Sequence, residues 1–103
     1  MSTRYSPVLK LADLPTGSKK VVKIDGKVVL LCNYKDALYA ISNICSHQYK
    51  MLHGGRIRHG KITCPVHGAR FDLATGEALD LPATEPVETY AVRVVGDDIE
   101  VEL

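Results

Sequence analysis

Cys45-Ser46-His47 and its echo Cys64-Pro65-Val66-His67 constrain this chain more than any other feature. Each half offers one thiolate and one imidazole, and sixteen residues, Gln48 to Thr63, lie between them. That distance puts the halves on two separate loops. Four such side chains converging from two loops meet the needs of a metal site. Thiolate suits iron–sulfur clusters, copper(I) and zinc, while imidazole suits iron, zinc and copper.

A common zinc finger separates its ligand types, with two cysteines first and two histidines later. Here each half is mixed. A mixed pair per loop suits a binuclear centre in which one iron takes both cysteines and the other both histidines. A structural Cys2His2 zinc site is the alternative. The pattern and its glycine-rich surroundings resemble the Rieske [2Fe–2S] family. The resemblance covers nearly the whole chain, including Asp13-Leu14, His67-Gly68-Ala69-Arg70-Phe71-Asp72, Thr75-Gly76 and the proline-bearing stretch after Leu79. It implies an all-β fold, a β-sandwich or incomplete barrel with a small inserted cluster-binding subdomain at about residues 43–70. It also implies one [2Fe–2S] cluster held by Cys45, His47, Cys64 and His67.

Replacing two thiolates by imidazoles removes negative charge and raises the potential relative to an all-cysteine cluster. Respiratory members of the family resemble C-x-H-x-x-C and C-P-C-H-G-S-x-Y. Their extra cysteines pair in a disulfide, and their Ser and Tyr hydroxyls donate to sulfur. Lys50, Val66, Ala69 and Phe71 occupy those positions here. Loss of donors to sulfur lowers the potential. A low-potential member is expected, similar to the ferredoxins of bacterial aromatic-ring dioxygenases.

The function implied by that resemblance is a one-electron carrier with no catalytic residue of its own. It would take electrons from a flavin-containing NAD(P)H-dependent reductase and pass them to a terminal Rieske oxygenase. A small subunit of an assimilatory nitrite reductase is the alternative within the family, and a zinc-stabilised interaction module the alternative outside it. At 103 residues the chain is expected to form one domain, 1–103. A formal charge of +1 argues against a nucleic-acid protein. No run of eighteen apolar residues predicts a membrane helix. The polar start, Met1 to Pro7, lacks the apolar core of a secretory signal. Three cysteines, two of them claimed by the motif, leave no disulfide framework, so a cytoplasmic protein is expected; a monomer is expected as well.

Short strands between turn signals are predicted throughout. Pro7 to Leu11 reads as the first, and Asp13 to Gly17 as a turn. Lys20–Ile24 and Lys27–Asn33 form a hairpin about Asp25-Gly26. Val28, Leu30 and Cys32 share one face of its second arm, Val29 and Leu31 the other, so that strand is covered on both sides. Cys32 reads as a small buried hydrophobe. Leu38–Ser42 leads into the first metal loop. Arg56 to Thr63 is a hairpin turning at His59-Gly60, and Gly54-Gly55 lets the chain bend back into it. His53 and His59 read as turn or surface histidines. Tyr49 and Met51 are expected to pack under the loop, with shielding of the cluster or a partner surface as the alternative. Pro65 stiffens the second loop, and Gly68 supplies a close approach or a positive φ. Lys50, Arg56 and Arg58 tint this region positive, and Asp72, Glu77, Asp80, Glu85 and Glu88 follow on the other side; a solvated mixed surface is expected, with steering of partners as the alternative. In the tail, Val92 and Val94 alternate with Arg93, and Ile99, Val101 and Leu103 with Glu100 and Glu102, which marks half-buried strands.

Overall fold

The computed structural model describes residues 5–24, 26–44, 51–65, 68–80 and 85–102. Cys45, His47, Tyr49, Lys50, Val66 and His67 lie outside them. The described chain has ten strands in three antiparallel sheets and no α-helix.

The largest sheet has the order β2-β3-β4-β8, from Lys19–Ile24, Lys27–Tyr34, Ala37–Ser42 and Thr89–Tyr90. Its hairpins follow their turn residues. Ile24 pairs with Lys27 beside Gly26, whose φ is +82°. Tyr34 pairs with Ala37 across Lys35 and Asp36, both at positive φ (52° and 66°). Positive φ at both central residues is the primed turn that matches strand twist. A second sheet, β1-β10-β9, joins Tyr5–Lys10, Asp98–Glu102 and Val92–Val95. Its register slips between Pro7 and Leu9, on an edge strand, where a residue without an N–H is tolerated. The first strand thus starts two residues before Pro7, and Leu11–Asp13 turns off as a 3-10 segment. The third sheet, β5-β6-β7, is small: Ile57–Arg58, Lys61–Thr63 and Arg70–Asp72. It is inserted between β4 and β8, and its first hairpin turns at His59 and Gly60 (φ 54° and 74°), as the sequence predicts.

β3 is the dividing wall. Leu30 and Cys32 point into one apolar cluster with Ile41, Leu52, Ile62, Cys64, Ala69, Phe71, Leu73 and Val87. Val29 and Leu31 point into another with Leu14, Ala40, Ile99 and Val101. The two-sided pattern read from the sequence is therefore borne out. Each fully buried Leu, Ile or Phe contributes about 1.5–3 kcal/mol of transfer free energy, so the first cluster is what glues the small sheet onto β3 and β4. Val94 departs from its expected half-burial and is 44% exposed. It pairs with Ile99, but β9 is the edge strand of its sheet among the described residues.

Candidate metal centre

Cys64 follows directly on β6 and is fully buried among Leu52, Ile62, Ala69 and Phe71. Its N–H donates to the Ala69 carbonyl at 2.8 Å, and its own carbonyl accepts from Gly68 N–H at 3.0 Å. These two bonds close the base of the second loop. Gly68 has φ +77°, and a Cβ there would meet no atom within 4 Å. Its requirement is conformational, so the positive-φ reading of this glycine holds.

The first loop is tied at both ends. Ile44 and Met51 form an antiparallel bridge, and Leu52 N–H donates to the Asn43 carbonyl at 2.8 Å. Asn43 is fully buried, and its N–H donates to Val28 of β3 at 3.0 Å. Its side-chain amide lies 3.4 Å from Met51 Sδ and 3.3 Å from His53 Nδ1. A thioether sulfur accepts, so the amide nitrogen donates toward Met51. Asn43 Oδ1 is buried and has no hydrogen-bond partner among the described residues. An orphaned acceptor of this kind costs roughly 1–3 kcal/mol. Met51 is 52% exposed, which corrects the expectation that it packs under the loop; Tyr49 lies outside the described residues.

The stems of the two loops meet back to back at Gly55. A Cβ on Gly55 would collide with the Thr63 carbonyl oxygen and come within 3.0 Å of that of Leu52. Thr63 and Leu52 belong to different stems. Gly55 N–H donates to Leu52 O at 2.7 Å, and Thr63 N–H to Arg56 O at 3.0 Å. Gly55 is thus needed for close approach of backbones, and Gly54-Gly55 does more than let the chain bend. Lys19 of β2 donates its ammonium to the Gly55 carbonyl, linking this junction to the large sheet.

His53 and His59 are both exposed, as expected. Cys32 is fully buried; burial pushes its thiol up to about 12, against a smaller opposing pull from Lys19. Sequence reasoning missed Asn43, Lys19 and the packing role of Gly55. Only Asn43, a polar residue at the end of the apolar run Leu38 to Ile44, left a local signal.

Among the described residues no three His, Cys, Asp or Glu side chains gather around one point. Cys64 is the only one of the four motif residues described. The surroundings fit a sulfide-bridged iron pair. Cys64 places a soft sulfur donor in an apolar, water-excluding floor, and the adjoining stem leads directly to the loop of Cys45 and His47.

A family profile described as the Rieske [2Fe-2S] domain matches residues 4–91. The 3-phenylpropionate/cinnamic acid dioxygenase ferredoxin subunit of Escherichia coli O139:H28 (strain E24377A / ETEC) is 41% identical over 95 residues, covering 90% of this chain and 88% of that protein. The ferredoxin of carbazole 1,9a-dioxygenase from Nocardioides aromaticivorans IC177 superposes with a TM-score of 0.89 at 37% identity, covering 94% of this chain and 95% of that one. A ferredoxin solved in complex with the oxygenase of carbazole 1,9a-dioxygenase superposes with a TM-score of 0.88 at 26% identity, covering 95% of this chain and 92% of that one. Loop stems, buried cysteine and relatives agree: this chain belongs to the Rieske [2Fe–2S] domain family and carries that family's cluster.

Proposed function

We propose that this chain is the electron-carrying ferredoxin of a multicomponent aromatic-ring dioxygenase, with Cys45, His47, Cys64 and His67 as its four cluster ligands. It receives electrons from a flavin-containing NAD(P)H-dependent reductase and delivers them to the terminal oxygenase. The observation that carries this reading is the close approach of the two loop stems at Gly55, next to a buried Cys64. When bound, the cluster supplies a one-electron couple.

The chain's own residues hold and shield. Cys64 offers its sulfur from an apolar floor that excludes water. Asn43 ties the stem of the first loop to β3 and contacts His53. Lys19 fastens the junction to the large sheet. Ala69 and Phe71 place apolar atoms where a hydroxyl donor to sulfur would raise the potential. The insert at about 43–70 acts as the cluster-binding subdomain of a single domain. The carrier works as a cytoplasmic monomer; among the described residues no helix is long and apolar enough to cross a membrane.

Iron and acid-labile sulfide analysis, together with an EPR spectrum of the reduced protein, tests this. Two irons and two sulfides per chain, with mixed nitrogen and sulfur ligation, are expected. A colourless, iron-free protein would sink the reading.

A further inference from the structure

Charge is distributed very unevenly along this chain. Between Asp36 and Asp72 there is no Asp or Glu, yet this stretch holds five of the thirteen Lys and Arg and all four His. From Asp72 to the end, one Arg faces nine of the twelve carboxylates. A net charge of +1 hides this polarity.

The fold concentrates the positive part. Ile62 and Phe71 are cross-strand partners that turn inward, as does Ile57 opposite Ile62. Their neighbours must therefore turn outward, because side chains alternate along a strand. Arg58 pairs with Lys61, and Thr63 with Arg70. With His59 they line a cleft of about 520 Å³ on the outer face of β5-β6-β7. Two carboxylates stand at its margin, Asp80 and Asp72, the latter the cross-strand partner of Lys61, and both hold hydrogen bonds of their own. Asp80 grips Arg70 at 2.6 and 3.1 Å, and Asp72 caps the N–H groups of Ala74 and Thr75 at 2.8 and 3.1 Å. Arg58 has no carboxylate within ion-pair reach among the described residues. Thr63 and Arg70 are chain neighbours of Cys64 and Ala69, so the cleft abuts the base of the second loop.

We propose that this face, with Arg58, His59, Lys61 and Arg70, is the docking surface for a carboxylate-rich patch on the protein with which the chain exchanges electrons; the proposal rests on the carrier function given above. Two observations favour a protein surface over a small anion. The cations of the cleft are solvent-reaching side chains, and among the described residues lining it none is a buried donor that could cage a single ion. Asp98, Glu100 and Glu102 lie on β10, in a different sheet from this face, where like charge disfavours an acidic partner. The exposed lysines Lys20 and Lys23 serve a different purpose. They lie on β2, an edge strand, where charge prevents strand addition.

The test uses the full, iron-loaded chain, with poly-L-glutamate as the probe and amide NMR shifts as the map. The largest shifts are expected between Ile57 and Lys61. The double variant Arg58→Glu, Lys61→Glu should weaken binding about tenfold or more at low salt, and wild-type binding should weaken similarly as salt rises through the physiological range. Arg58→Gln, Lys61→Gln, which adds no repulsion, should give a smaller loss. Lys20→Glu, Lys23→Glu should leave the affinity unchanged. Shifts centred on β2, insensitivity to the Arg58 and Lys61 changes, no binding, or tighter binding of an oligothymidylate at this face would each overturn the proposal. Iron and sulfide analysis of the same samples reports separately on the carrier reading. An iron-free chain that binds polyglutamate here would sink that reading and keep the surface; an iron-loaded chain that ignores it would do the reverse.

Discussion

Gly55 sits so close to the Thr63 carbonyl that no side-chain carbon fits between them. The neighbouring Gly54 differs, because a Cβ there would make ordinary contact with Pro65 Cγ at 3.8 Å. Gly55→Ala must push the two loop stems apart and should cost about 1–3 kcal/mol, the usual range for overpacking. It should also reduce iron content per chain. Gly54→Ala should fall within about 0.5 kcal/mol of wild type. Urea denaturation and iron analysis of both variants check this, and equal behaviour would remove Gly55 from the junction.

Asn43 donates toward Met51 and contacts His53 from a fully buried position. Asn43→Asp removes the donor and puts a carboxylate in its place. A loss of about 2–4 kcal/mol is expected, because a buried charge without a partner is expensive. Asn43→Ala should lose less, since it also removes the orphaned Oδ1. Chemical denaturation of the two variants gives the order directly.

Cys32 carries a thiol pushed up to about 12 by burial. A raised folded-state value favours the neutral form, so this contribution to stability is complete below the unfolded thiol's value of 9.0. It is lost as pH climbs from there toward 12, at about 1.4 kcal/mol per pH unit. Stability of the wild type should therefore fall more steeply above pH 9 than that of Cys32→Ala. Parallel slopes in alkaline denaturation series would refute the assignment. In the native protein at pH 8, Cys32 should not react with a thiol reagent.

Ala69 is buried and its carbonyl accepts from the Cys64 N–H. Ala69→Ser brings a hydroxyl to the second loop and should raise the midpoint potential by tens of millivolts, the scale of about 1 kcal/mol in a one-electron couple. Phe71→Tyr should move it the same way. Redox titration decides, and a wild-type midpoint that is already strongly positive would contradict the low-potential reading.

Much of the frame was legible because it depends on local pattern. Asp25-Gly26 and His59-Gly60 announce turns, Ile99 and Val101 alternate, and the apolar run through Leu30 and Leu31 fits only a strand covered twice. The motif residues were legible by type and spacing. What stayed hidden depends on contacts between distant residues. Lys19 reaches Gly55 across 36 positions, and no periodicity encodes that meeting. Gly55 looks like any turn glycine until Thr63 is brought against it. Val94 follows the inward pattern yet stays exposed, because alternation specifies a face and not whether anything covers it.

β3 separates two insulated compartments, since neighbouring residues on one strand serve different interiors. Changes at Val29 or Leu31 are felt by Leu14, Ile99 and Val101, while the surroundings of Cys64 lie beyond the partition. Thermal adaptation can thus proceed through one chamber while electron-transfer properties are tuned in the other, with a single strand as their common boundary.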